Sequence, residues 1–97
     1  MMRVRYVGVD MPLLLTNEFI YECINIEEES WLRVIDDEEE DYCYMINCPC
    51  DAFDQENKNG KWQIVEDEDD KLYEAFRLAK EPIYYYNEKT GEIKKVD

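Results

Sequence analysis

Apolar and polar residues alternate in short stretches along most of the chain, and the period changes to a helical one only once, near the C-terminus. Residues 3–7 alternate charged and apolar types and then meet Gly8, the signature of a half-buried strand ending at a turn. Val4 and Tyr6 share one face of it; Arg3, Arg5 and Val7 share the other. A loop through Asp10 and Pro12 leads to residues 19–26, rich in β-branched and aromatic types and too short for most amphipathic helices. Tyr21, Cys23 and Asn25 fall on one face of this second strand, and Ile20, Glu22, Ile24 and Ile26 on the other. A polar turn over 27–30 precedes a third strand at 31–35. Residues 36–41 are six consecutive acids, expected to form a solvated hairpin tip, and residues 42–46 make a fourth strand.

Cys48-Pro49-Cys50 interrupts the alternation, and the polar stretch 51–60, with Asn57, Asn59 and Gly60, suits a turn or loop. A fifth strand is expected at 61–65, then a second acidic run over 66–70. From Asp69 or Asp70 to Lys80, Leu72, Ala75, Phe76 and Ala79 fall at i, i+3, i+4 and i+7, an apolar helical stripe. Acids lie at its start and Arg77 and Lys80 near its end, which suits the helix dipole, and Pro82 stops it. The remaining segment reads as a hairpin turning around 89–91. Trp31, Val34, Asp36 and Tyr42 recur at the same offset as Trp62, Val65, Asp67 and Tyr73. The period is strand-like after the first set and helical after the second, so we read the echo as coincidence; a true repeat would make 72–76 a strand. The expected core holds Val4, Tyr6, Ile24, Ile26, Val34, Leu72 and Phe76.

Ninety-seven residues with 45% hydrophobic side chains support one packed domain. Charge is the anomaly: 25 Asp and Glu against 11 Lys and Arg, with no His, leave a net charge of −14 at pH 7. Phosphate binding needs a basic footprint, so direct nucleic-acid binding is not expected. No stretch approaches the roughly 20 apolar residues of a membrane-spanning helix, and the run around Leu13 lacks the length and cleavage site of a signal peptide. A cytoplasmic location with Cys23, Cys43, Cys48 and Cys50 reduced is therefore expected.

The runs Val4-Arg-Tyr-Val-Gly8, Tyr21-Glu22, Ile26-Glu27, Trp31-Leu-Arg-Val-Ile-Asp-Asp37 and Asp41-Tyr-Cys-Tyr44 resemble small bacterial SH3-like domains, in which a Trp strand passes through an acidic turn into a Tyr-x-Tyr strand. The likeness covers about the first half of the chain. It implies a mainly β fold, an SH3-like small barrel of about five strands over 1–66, with the helix and hairpin over 69–97 as an extension, α+β overall. It also implies a buried Trp31. It brings no active site to carry over.

The chemistry on offer is sparse. One C-x-C, isolated Cys23 and Cys43 and no His fit zinc poorly. No EF-hand loop is present: in the run starting at Asp67, Lys71 takes a ligand position and the central Gly is missing. Without His, a phosphate loop or a nucleophile motif, catalysis is not expected, nor is a metal or cofactor. The expected function is a non-catalytic acidic module binding a basic or proline-containing protein partner through Asp36, Asp37, Glu38, Glu39, Glu40, Asp41 and an exposed Tyr85. The alternative is a DNA-mimicking inhibitor: residues 36–41, if extended, would carry one charge per about 3.3–3.6 Å, near the roughly 3.4 Å of a DNA strand.

Overall fold

Alternation produces strands where expected, and the helical stripe produces the one helix among the described residues. The computed structural model describes residues 1–28, 30–47, 49 and 60–96. Its elements are β1 (Met2–Val7), β2 (Ile20–Glu27), β3 (Trp31–Ile35), β4 (Asp41–Met45), β5 (Lys61–Asp67), α1 (Lys71–Leu78), β6 (Ile83–Tyr86) and β7 (Ile93–Val96). Cys48, Cys50 and the loop expected over 51–59 lie outside the described residues.

The strands form one seven-stranded sheet in the order β4-β3-β2-β1-β5-β6-β7. The neighbours are antiparallel except β5 and β6, which run parallel with Ile64 opposite Tyr85. The expected SH3-like five-stranded barrel is therefore wrong. The reason lies in the crossover: parallel neighbours need a connection of a dozen or more residues, and the chain between β5 and β6 supplies it as α1 and its flanks. It returns β6 to the outer edge of β5, so this edge, which a closed five-stranded barrel needs for itself, carries a mixed sheet instead.

One face of the sheet buries Val4, Tyr6, Tyr21, Cys23, Leu32, Val34, Tyr44, Trp62 and Ile64, and α1 adds Leu72, Ala75 and Phe76. Ile24, expected inside, is 42% exposed. A bulge between Cys23 and Asn25 inserts it as an extra residue, which shifts the strand's phase so that Tyr21 and Cys23 face inward before the bulge and Ile26 after it. The two tryptophans also differ. Leu32 and Tyr44 pair on the core face, so Trp31, paired with Met45 one step on, turns to the other face and is only half-buried. Trp62 is the buried indole, 2% exposed. Its ring packs edge-on against Tyr6 and Tyr44 at centroid distances of 5.9 and 6.1 Å, and its Nε1–H donates to the Met45 carbonyl at 3.1 Å.

Asp67 sets the start of α1, accepting the N–H groups of Leu72 at 3.0 Å and Tyr73 at 2.9 Å. These amides have no partner within the helix. At the other end Lys80 adopts φ 59°, its N–H donates to Arg77 O at 3.0 Å, and the N–H of Glu81 donates to Phe76 O at 3.0 Å. This is a Schellman closure with Lys80 where glycine is usual, and Pro82 prevents continuation. Residues 72–76 are thus helical, and the echo with 31–42 does not mark a structural repeat.

Replacing Trp62 by Ala should cost about 3–5 kcal/mol of stability, and Trp31 by Ala about half that or less, because only the first empties a close-packed site. Urea unfolding of both variants checks the order; a larger loss at Trp31 would contradict the assignment of faces.

Candidate interaction site

The acidic run between β3 and β4 folds back on itself. Asp36 is 5% exposed; its Oδ1 accepts the N–H groups of Glu38 at 3.0 Å and Glu40 at 3.3 Å, and the Tyr44 hydroxyl lies 3.4 Å from Oδ2. Its backbone closes the turn through Asp36 N to Glu40 O at 2.9 Å and Glu39 N to Asp36 O at 2.9 Å, with Glu39 at φ 62°. Asp37 fastens the turn to the preceding loop. Its N–H donates to Leu14 O, and its carboxylate accepts the hydroxyls of Tyr21 and Thr16, each at 2.8 Å. The expectation of six solvated acids therefore fails at Asp36, because turn amides need an acceptor and a short carboxylate at the strand end is placed to supply it. Asp41 pairs with Arg33 at 3.3 Å. Glu38, Glu39 and Glu40 are exposed, and among the described residues none has a cation within 4.0 Å.

Elsewhere carboxylates consume the chain's arginines. Arg3 pairs with Glu66 at 2.9 Å and with Glu88, Arg5 with Glu18 at 3.5 Å, Arg33 with Glu27 at 2.8 Å and Arg77 with Glu74 at 2.8 Å. Hydrogen bonds from these guanidinium groups hold Glu27, Glu74 and Glu88 below the usual carboxylate range. Cys43 donates its thiol to Glu27 Oε2 at 2.8 Å, and burial, reinforced by that carboxylate, pushes it up to about 11. Cys23, opposite Val34 on the core face, is pushed up to about 12 by burial. The pairing registers put the two thiols on opposite faces of the sheet, and neither has the lowered pKa of a reactive cysteine. Among the described residues there is no group of three or more His, Cys, Asp or Glu that could hold a metal, and no helix long and apolar enough to cross a membrane.

Tyr85 does not join the acidic tip. Three strands, β2, β1 and β5, lie between β3 and β6, and Tyr85 is half-buried against the core rather than exposed. Burial raises its phenol, with Asp67 and Asp70 adding to the effect. Its neighbours turn to the other face, where Lys61 stands over the Tyr84 ring at 5.5 Å and Arg5 over Tyr86 at 4.1 Å.

Periodicity gave no warning of a further feature. Two clefts of about 350 and 260 Å³ share Ile46, Asn47 and Glu81 in their linings. Trp62, Phe76, Pro82 and Tyr84 wall the larger one; Trp31, Met45 and Ala79 wall the smaller. The wall residues come from β3, β4, β5, β6 and the end of α1, so only the tertiary fold assembles them. The partial sequence signal was the aromatic richness of these strands.

No protein-family model matches the chain, and no curated protein or solved structure matches it at a significant level.

Tyr21 supplies a pH test. Burial, with Asp37 beside it, pushes its phenol up to about 12, above the ordinary value of about 10. A raised folded-state pKa keeps the proton on in the native state while the unfolded chain loses it, so this stabilisation is complete below pH about 10 and is lost as pH rises toward 12. Denaturation across this window should show a shallower alkaline loss for Tyr21→Phe than for the parent chain; parallel curves would contradict the Tyr21–Asp37 tie.

Proposed function

We propose that the chain is a non-catalytic interaction module whose acidic hairpin tip engages a basic protein partner. The observation that carries this reading is the division of labour within residues 36–41: Asp36 and Asp37 hold the turn, Asp41 pairs with Arg33, and Glu38, Glu39 and Glu40 project without cations of their own. A turn braced in this way presents its charges in a fixed arrangement, which lowers the ordering cost of binding. An uncompensated charge of −14 adds long-range attraction for a basic surface. The non-catalytic part rests on the lack of histidine and on described thiols that stay protonated at neutral pH. A cytoplasmic setting belongs to the same reading, with Cys23 and Cys43 as free thiols. DNA mimicry has less support, since DNA-like charge spacing needs an extended backbone and residues 36–40 are folded back.

Affinity capture from the native host at physiological salt tests the proposal, with the parent chain and the triple variant Glu38→Gln, Glu39→Gln, Glu40→Gln as baits. A basic protein should be retained by the parent, lost by the variant and left in place by added duplex DNA. Equal retention by both baits would overturn the role of the tip, and displacement by DNA would favour mimicry.

A further inference from the structure

The paired clefts raise a question of charge. Glu81, in both linings, is half-buried, and among the described residues its carboxylate has no ion pair or side-chain hydrogen bond. Every arginine of the chain already has an acidic partner, and Lys61, which also lines the larger cleft, stands over the Tyr84 ring and forms no ion pair with Glu81 within 4.0 Å. A half-buried carboxylate outside any ion pair keeps its acceptor sites open to a donor from another molecule. The backbone that carries it is fixed, because the Schellman closure holds Glu81 N–H to Phe76 O and Pro82 follows directly.

The surroundings of that carboxylate specify the missing group. Half-buried Trp31 and Met45 bring aromatic and thioether surface to the smaller cleft, and half-buried Tyr84 brings its ring to the larger, with Trp62 packed beneath it. A planar cation with apolar faces and several N–H donors suits both features at once: a guanidinium can stack on an aromatic ring while its edge donates to a carboxylate. The geometry points to the cleft around Glu81 as the pocket for an arginine side chain of the protein partner, an inference that rests on the basic-partner reading above and adds a second contact to it. The negative field of the whole chain draws such a cation in, and the aromatic walls distinguish this pocket from the bare carboxylates of the tip.

The chain's two tryptophans each line one of the two clefts, Trp31 the smaller and Trp62 the larger, so their indole N–H resonances report on occupancy. A blocked tetra-arginine peptide, titrated at an ionic strength of about 0.15 M, should shift both indole signals saturably. Glu81→Gln should weaken binding about fivefold or more, which corresponds to roughly 1 kcal/mol, while keeping a dispersed, folded spectrum. The triple tip variant should retain the indole shifts. Binding that moves tip amides but not the indoles, or that is unchanged in Glu81→Gln, would overturn the cleft assignment and leave the basic-partner reading standing. No binding by the parent chain would overturn the arginine pocket, and equal affinity for tetra-lysine would overturn its preference for arginine.

Discussion

Self-repulsion among carboxylates is the constraint around which the rest of the structure is arranged. Twenty-five acids share this small fold with 11 bases, and folding brings their charges closer than the expanded chain does. Part of the excess is put to structural use. Asp36 and Asp67 accept backbone N–H groups at a hairpin and at a helix start, places where unpaired amides would otherwise be costly. Other acids neutralise arginines on the sheet, and Glu38, Glu39 and Glu40 stay in solvent at the hairpin tip, where water screens them.

What opposes the repulsion is a core organised around Trp62. Sheet order separates β5 from β4 by β1, β2 and β3, yet the indole touches Tyr6 on β1 and Tyr44 on β4 and donates to the Met45 carbonyl. Those contacts require the sheet to curl over its buried face. The same curl carries the ends of β3 and β4 toward the C-terminal end of α1 and opens the clefts around Glu81. The seven-stranded arrangement follows from the other side of β5, where α1 packs Leu72 and Phe76 into the core and delivers β6 in parallel.

Strand and helix positions were legible because each buries a simple stripe: Val4 and Tyr6 at period two, Leu72, Ala75 and Phe76 at the helical period. Ile24 was misread because a bulge adds one residue, and alternation carries no mark of where that happens. Trp31 and Trp62 sit in strands of similar composition, so which indole is inside depended on the register with β4 and β1, which is tertiary information. The parallel joining of β6 was invisible for the same reason: a hairpin after a helix reads alike whether it stands apart or extends the sheet. Asp36 looked like its five acidic neighbours. A clue did exist, since the echo between 31–42 and 62–73 aligns Asp36 with Asp67, and each accepts two backbone N–H groups just beyond or at the end of its strand. The shared feature is turn chemistry at a strand end rather than a duplicated unit. Tyr85 was assigned to solvent from its neighbours alone, and the strand's phase with Ile64 placed it inward.

A role in binding for the braced tip and for the cleft around Glu81 requires that much of the negative charge is uncompensated in the folded protein. Ion pairing and self-repulsion respond to salt with opposite signs: screening weakens attraction between specific pairs and relieves repulsion among unpaired acids. The most direct measurement is the melting temperature at pH 7 in a sodium chloride series from low to physiological ionic strength. The melting temperature should rise with added salt. A fall would mean that specific ion pairs dominate the electrostatics, and would remove the basis for an acidic surface held ready for a basic partner.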